Sequence, residues 1–386
     1  MGKFRYAVLE RDHAEATATD EGTITIDLPE EDILSELTIQ ARALGAYSDD
    51  MILPMYALIK KFEVLVDGST VVKSLSGQEA RALVHYNNGP FSLTNDYAGE
   101  DNTNVRYHSF PLYFGRHAGD TRSGLNMSDY ANPQLKITWN AAQTTMDGIS
   151  VDAHTDPTFT YSVIAKMMEG TPSGWTNQYC QSREIDAWTT STSAQHNTEI
   201  PRGYDLKGLM WRGAYTGINP EYTLESMLLD FDNGKWKPLD MNYAQLWEVF
   251  KAWFPKPAEI HQWIRGAQGD TFDMMLLKVA GMAANGAGNT VADVTMTTGR
   301  RSMAPMSWFD YDAGTETVVS SAWFNAWGFG PHQTIYIPMD QLVDGDKDTV
   351  PTTGYGRIDL KCTAGASSGT SGQQYVVAEY MKPNGQ

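Results

Sequence analysis

The chain has 386 residues, more than one ordinary domain needs and enough for two of the usual ~100 to 200 residues, each able to bury its own core. It carries 29 basic against 47 acidic residues, a net charge of −18 with no Lys/Arg run, so the electrostatic footprint of a sequence-neutral grip on nucleic acid is missing and no direct specific nucleic-acid binding is expected. Cys180 and Cys362 are the only cysteines, too few for a disulfide scaffold; the first residues lack the apolar core of a signal peptide, and no stretch approaches the ~20 apolar residues of a membrane span, so a soluble product of the cytosol with reduced thiols is expected.

Taken in chain order, most segments alternate with period two and are rich in β-branched and aromatic residues, as at 23–26, 134–139, 159–164 and 334–337, which predicts strands. Turn residues punctuate them at Asp67-Gly68, Asn87-Asn88-Gly89-Pro90, Asn233-Gly234 and Asp344-Gly345. The predicted class is mainly antiparallel β. Two helices stand out. Ser76 can cap the first, with Glu79 completing a capping box and Ala80, Leu83 and Val84 on one face to about Tyr86. Asn242 and Gln245 play the same parts in the second, ahead of Leu246, Val249, Phe250 and Trp253, with Pro255 as the stop.

The order of these elements is written twice. Leu28, Pro29, Leu34 and Leu37 recur as Ile200, Pro201, Leu206 and Leu209 at one offset (200 − 28 = 172). Phe62 to Val66, Asp67-Gly68, Leu75 and a helix are echoed by Met227-Leu228-Leu229, Asp232-Asn233-Gly234, Leu239 and a helix. Leu112-Tyr113-Phe114 and Leu135-Lys136-Ile137 match Ile335-Tyr336-Ile337 and Ile358-Asp359-Leu360 at a shared offset of 223, and Tyr161 with its following strand finds a looser partner at Tyr375. The offset grows from 164 (Leu75 to Leu239) to 223, so the second copy holds 223 − 164 = 59 extra residues within about 255–331. That insertion includes a Gly/Ala/Asn-rich stretch at 280–289 and the aromatics Trp308, Phe309, Tyr311, Trp323, Phe324, Trp327 and Phe329. Long insertions in compact β domains are usually functional surface features or satellite cores.

Chemistry-bearing motifs fail on context. Gly365-Ala366-Ser367-Ser368-Gly369 has the spacing of a nucleophile elbow but lies between two predicted strands, with no later His. The eight histidines show no metal-clasping spacing. Asp344, Asp346 and Asp348 begin like a calcium loop but meet Thr349 where Gly belongs and Tyr355 where Glu belongs; Asp230, Asp232 and Asn233 fail likewise at Lys235 and are expected to form a turn. Gly286-Ala287-Gly288 and Gly234-Lys235 do not complete a phosphate loop. No catalytic, cofactor-binding or metal-ligating residue is assigned, and no cofactor is expected. A carboxylate pair for glycoside hydrolysis is a matter of three-dimensional separation that spacing does not reveal.

The tandem plan, in which 62–68 runs into the Ser76-capped helix and Phe110-Pro111-Leu112-Tyr113-Phe114-Gly115-Arg116, Asp120 and Gly124-Leu125 precede the strand at 135–139, resembles the double jelly-roll major capsid proteins of icosahedral viruses, the lineage of tectiviruses, corticoviruses and adenoviruses. The resemblance covers nearly the whole chain outside the insertion. It implies two eight-stranded jelly-roll sandwiches, 1–171 and 172–386, each with a short helix, and a homotrimer whose six rolls approximate a hexagon. It further implies a structural, non-enzymatic virion component, as in bacteriophages, assembled in host cytoplasm. Its partners would be neighbouring capsomers, penton and minor capsid proteins and, in some relatives, an internal membrane. By the same analogy 255–331 would be a tower or inter-subunit clamp, and residues 1–22 an inward or neighbour-contacting arm, whose cations Lys3, Arg5 and Arg11 are too few to hold an anionic bilayer strongly. Two other readings remain: a two-domain β-sandwich carbohydrate-binding protein or glycan-active enzyme with a platform of Trp263, Trp308, Trp323 and Trp327, and a minor vertex or spike component of a capsid.

Overall fold

The computed structural model describes the chain apart from residues 1–2, 16–20, 47–54, 90–95, 99–104, 141–144, 147–148, 151–154, 214–222, 267–270, 273–275, 288–294, 297–305, 308–319, 344–347, 367–371 and 386. Eight principal strands build the first half: β1 (Lys3–Glu15), β2 (Glu21–Asp27), β3 (Ile33–Ala46), β4 (Ile59–Val66), β5 (Thr70–Leu75), β6 (Val105–Tyr113), β7 (Gln134–Asn140) and β8 (Thr155–Glu169). Eight more build the second: β9 (Gln178–Thr189), β10 (Gln195–Glu199), β11 (Asp205–Arg212), β12 (Ser226–Phe231), β13 (Trp236–Asn242), β14 (Thr334–Pro338), β15 (Ile358–Thr363) and β16 (Gln373–Pro383).

Strand order repeats without exception. The first half pairs β1-β8-β3-β6 and β2-β7-β4-β5; the second pairs β9-β16-β11-β14 and β10-β15-β12-β13. Adding eight to each label converts one half into the other, and each is the two-sheet Greek-key arrangement of a jelly roll. Alternation supplies the inner faces: along β7, Leu135, Ile137 and Trp139 are buried between half-exposed neighbours. They meet Phe62 and Val64 of β4 and, across the sandwich, Leu37, Phe110 and Phe159 in one apolar core.

Pairing register tests the repeat residue by residue. Leu34 pairs with Met167 and Leu37 with Leu112; Leu206 pairs with Tyr380 and Leu209 with Ile337. The offset of 172 therefore holds in β3 and β11. In the later strands the equivalence is 337 − 112 = 225, and likewise 360 − 135 = 225, since Leu135 lies opposite Ile26 and Leu360 opposite Thr198. The sequence match of 223 is thus two residues out of phase. A slip of two leaves every side chain on the same face of a strand, so the hydrophobic pattern cannot detect it. The helix offset moves equally, 242 − 76 = 166 at the caps, and the insertion stays at 225 − 166 = 59 residues. In β8 and β16 the offset is 376 − 163 = 213, because Val163 lies opposite Ile39 and Val376 opposite Trp211; the Tyr161 to Tyr375 match is one residue off.

Both capping boxes form. The Glu79 amide donates to Ser76 Oγ (3.2 Å) and the Ser76 amide to Glu79 Oε2 (2.9 Å) at the start of α1 (Gly77–Asn88); Asn242 and Gln245 exchange the same bonds at 3.0 and 3.1 Å ahead of α2 (Tyr243–Trp253). Helix α1 absorbs Asn87 and Asn88, which the turn pattern assigns to a loop, and closes on Gly89 at φ 87°. The hairpin turns need left-handed backbone at Asp67-Gly68 and again at Asp232-Asn233-Gly234.

Two segments that the strand pattern leaves unassigned fold as strands. The segment 1–22, an inward or neighbour-contacting arm by analogy, holds β1, which runs along β8 from Lys3 opposite Glu169 to Glu15 opposite Phe159, because apolar residues at 4, 6 and 8 give it a strand's alternation. Residues 280–287 of the Gly/Ala/Asn-rich stretch lie in a strand as well. Strands Ala258–Gly266, Leu276–Ala287 and Ser320–Pro331 pair into a sheet, with Ser320–Pro331 in the middle, and Asp96–Ala98 of the first half adds to Ala258–Gly266 in parallel. Leu277, buried near the start of the second of these strands, belongs to the sandwich core.

Removing either cap leaves an amide of the first helical turn without its acceptor. Ser76→Ala and Asn242→Ala should each lower unfolding free energy by about 1 kcal/mol, read as a drop in urea midpoint. The Ser76 loss should be the larger, since α1 is buried from Gly77 to Tyr86 and water cannot replace the lost partner.

Candidate functional site

The two halves meet at a built junction, not along a flexible linker. Strand β5 lies parallel to β9, Lys73 opposite Ser182 and Ser74 opposite Arg183, and this joint fuses one sheet of each roll into a continuous sheet β2-β7-β4-β5-β9-β16-β11-β14. Helix α1 lies against both rolls. From the second roll Arg212 reaches Gln78 (2.5 Å) and Glu79 (3.4 Å), the Tyr86 hydroxyl donates to the Thr334 carbonyl (3.0 Å), and the Tyr86 ring stacks on Tyr336 at 5.2 Å.

At the centre lies the carboxylate of Glu379, 2 % exposed, on β16. Ser182 Oγ donates to it at 2.8 Å, the Tyr336 hydroxyl at 2.7 Å and Lys207 Nζ at 3.0 Å; Lys73 Nζ in turn donates to Ser182 at 2.8 Å, and Lys207 also reaches Asn87 Oδ1 at 2.6 Å. Burial opposes the negative charge, but the two lysines and the Tyr336 hydroxyl outweigh it and hold Glu379 down to about 2. The cost of burial dominates at Lys73, whose pKa falls, whereas Glu379 keeps that of Lys207 raised. A lysine bonded to a serine can serve as base and nucleophile. Here Ser182 is 1 % exposed, is engaged to Glu379, and borders a void of about 10 Å³, room for a water at most. The arrangement ties one roll to the other.

Other bonds reinforce the junction. Arg116 spans from Asp120 (3.2 Å) to Asp348 (2.8 Å) at the rim of a cleft of about 290 Å³ lined also by Tyr86, Lys207 and Trp253. Burial works against ionised Asp120, yet bonds from Ser123 and the Arg122 and Arg116 amides lower its pKa. The Gly124 amide donates to the Gln178 carbonyl (2.8 Å), and Asn384 Nδ2 donates to the Gly124 carbonyl (3.1 Å). The run from Phe110 to Leu125 quoted for its resemblance therefore braces the first roll against the second.

Remaining sequence candidates fall where a turn or a core would put them. Asp230 pairs with Lys361 (2.8 Å), and Asp232 accepts from the Gly356 and Arg357 amides. Gly365 and Ala366 lie between β15 and β16; Ser367, Ser368 and Gly369, like Asp344 and Asp346, lie outside the described residues, and Asp348 serves Arg116. Cys180 and Cys362 are buried free thiols whose pKa burial raises. Among the described residues no three His, Cys, Asp or Glu side chains cluster to hold a metal ion, and no helix is long and apolar enough to cross a membrane. Of the tryptophan platform, Trp263 and Trp323 are register partners in the inserted sheet, Trp327 is 37 % exposed, and Trp308 lies outside the described residues. The hub was not singled out from the sequence; its one signal is a charge inside an apolar strand, Lys73 after Val71-Val72 and Glu379 after Val376-Val377-Ala378.

No protein-family model and no curated protein sequence matches the chain. Solved structures do. The crystal structure of the major capsid protein of Sulfolobus turreted icosahedral virus is similar with a TM-score of 0.57 at 10% identity, over 98% of this chain and 96% of that one. The same virus's atomic structure gives 0.55 at 12% identity, covering 98% and 90%, and the PBCV-1 virus capsid gives 0.50 at 9% identity, covering 99% and 94%. This is the double jelly-roll fold. The likeness spans both chains nearly end to end, at about a tenth of identical residues.

One acid at the junction of this double jelly roll ties its stability to pH. Glu379→Gln should cost roughly 3–5 kcal/mol at neutral pH, because two buried lysines lose their countercharge. The wild-type contribution of Glu379 is present above its unfolded pKa near 4.5 and is lost as pH falls toward about 2. Urea midpoints of the wild type and of Glu379→Gln at neutral pH read that cost, and the gap between them should narrow as the pH is lowered.

Proposed function

We propose that this chain is the major capsid protein of an icosahedral virus, acting by self-association and performing no chemistry. The observation that carries the reading is the duplicated roll with an ordered joint between the copies, in a fold similar over nearly its full length to viral capsid structures. Two equivalent sandwiches per chain allow three chains to present six near-equivalent units, so one product can tile a shell locally close to six-fold. The division at 171/172 falls in the segment between the end of β8 at Glu169 and the start of β9 at Gln178. The protein would reside in the virion, meeting neighbouring trimers and penton and minor capsid proteins.

The inserted sheet fits a tower. It follows α2, and the strand Asp96–Ala98 that joins it follows α1, so both excursions leave from the same place in the two rolls. A protein made in many copies also needs to stay apart until assembly, and a charge of −18 opposes indiscriminate association.

The test is solution mass by light scattering coupled to size exclusion. A particle of three times 42.8 kDa, or a very large shell, is expected. A stable monomer across salt and concentration overturns the reading, and a low copy number in purified virions would reassign the chain to a vertex or spike.

A further inference from the structure

The repeat makes a second surface visible. Strands β1 and β9 correspond at 181 − 5 = 176, since Arg5 pairs with Met167 and Gln181 with Tyr380, and both break register at the matching place, Val8/Glu10 and Glu184/Asp186. Cys180 and Ser182, each 1 % exposed against the first roll, therefore have Phe4 and Tyr6 as their counterparts. Phe4 is 38 % exposed, Tyr6 70 % and Val8, the counterpart of Glu184, 49 %: three of the four exposed large hydrophobic residues among those described. Among the described residues β1 has no strand on its outer edge.

The complementary element is open as well. Strand β13 ends its sheet where β5, its counterpart, carries β9. Helix α2 exposes Ala244, Gln245 and Glu248, whose counterparts at 166 residues less are Gln78, Glu79 and Ala82, all buried against the second roll. Each half of the internal joint is thus present a second time, unoccupied by any described residue, and the two open halves lie on opposite rolls. An exposed apolar strand edge of this kind is a ready template for another chain.

We infer that the β1 edge and its Phe4-Tyr6-Val8 face bind a second copy of this chain through that copy's β13 and α2, repeating between chains the joint that β5 and α1 make with β9 within one. The inference rests on the capsomer reading and deepens it by naming the seam. The contact is heterologous, each copy offering β1 to one neighbour and β13 to the other, and six rolls close the ring at three chains. The register follows: Ser182 opposite Lys73 becomes Tyr6 opposite Leu239 (182 − 176 = 6, 73 + 166 = 239), and Arg183 opposite Ser74 becomes Ala7 opposite Asp240 (183 − 176 = 7, 74 + 166 = 240). Lys166, which lies 4.7 Å from the Phe4 ring and 5.9 Å from that of Tyr6, brings a positive charge to the face that receives Glu248.

Two variants of the full chain test it. Neighbouring strands run about 4.7–4.9 Å apart, within disulfide reach, so the double variant Ala7→Cys/Asp240→Cys should form interchain disulfides on mild oxidation, giving covalent dimers and trimers on non-reducing gels. The shifted pair Ala7→Cys/Lys237→Cys should not; Cys180 and Cys362 are too buried to compete. Tyr6→Glu, at a site 70 % exposed, should keep its urea midpoint while its light-scattering mass falls from three chains to one. A wild type of three chains in which Ala7→Cys/Asp240→Cys stays uncrosslinked and Tyr6→Glu stays trimeric overturns the seam and leaves the capsomer reading standing. A wild type that is monomeric throughout overturns both.

Discussion

Everything in this molecule depends on the parallel contact between β5 and β9 and the buried charges that lock it. A strand edge is normally a liability, with a row of unmatched amides and carbonyls open to any other edge. In this chain the edge of the second roll is closed by the first, and α1 fills the corner so completely that ten consecutive residues of it are buried. Glu379 fixes the geometry. Hydrophobic contact alone would let the rolls slide by a strand position at small cost, whereas a carboxylate that must meet Lys207, Ser182 and Tyr336 at once accepts one register.

That constraint explains why the two halves have diverged where they have. The inner faces remain interchangeable, Leu34 for Leu206 and Leu37 for Leu209, because each sandwich needs the same core. The outer faces differ according to what covers them. Where the second roll is covered by the first, the residues are Ser182, Glu379 and Cys180, small or charged groups that fit a polar hub; their counterparts on the uncovered first roll are Tyr6, Lys166 and Phe4. One joint is filled and, among the described residues, the equivalent joint is open, which is the asymmetry that the proposed seam uses.

The sequence made the architecture legible in unequal parts. Capping boxes at Ser76 and Asn242 were readable because helix-terminal amides need local acceptors, and the repeat was readable because Leu28 and Ile200 begin the same inward pattern. Offsets in the later strands came out two residues short for a reason internal to β structure: period two is blind to a shift of two, and only hydrogen-bond register resolves it. The first fifteen residues, an arm by analogy, fold as a strand of the first roll, which the alternation of Phe4, Tyr6 and Val8 already spelled. The junction hub stayed hidden because Lys73, Lys207 and Glu379 are far apart in the chain and no local rule brings them together. In the insertion, a Gly- and Ala-rich composition masked a strand, since small residues carry little strand propensity of their own and pairing with Ser320–Pro331 decides the outcome.

The central claim is that one joint, built once inside the chain, is the template for the whole assembly. Electron cryomicroscopy of the purified protein tests it most directly. The account predicts a three-fold block with six sandwich densities, in which the junction between chains superimposes on the junction within a chain and α2 occupies the place of α1. A single copy, or a block whose between-chain contacts leave β1 and β13 facing solvent, would contradict it.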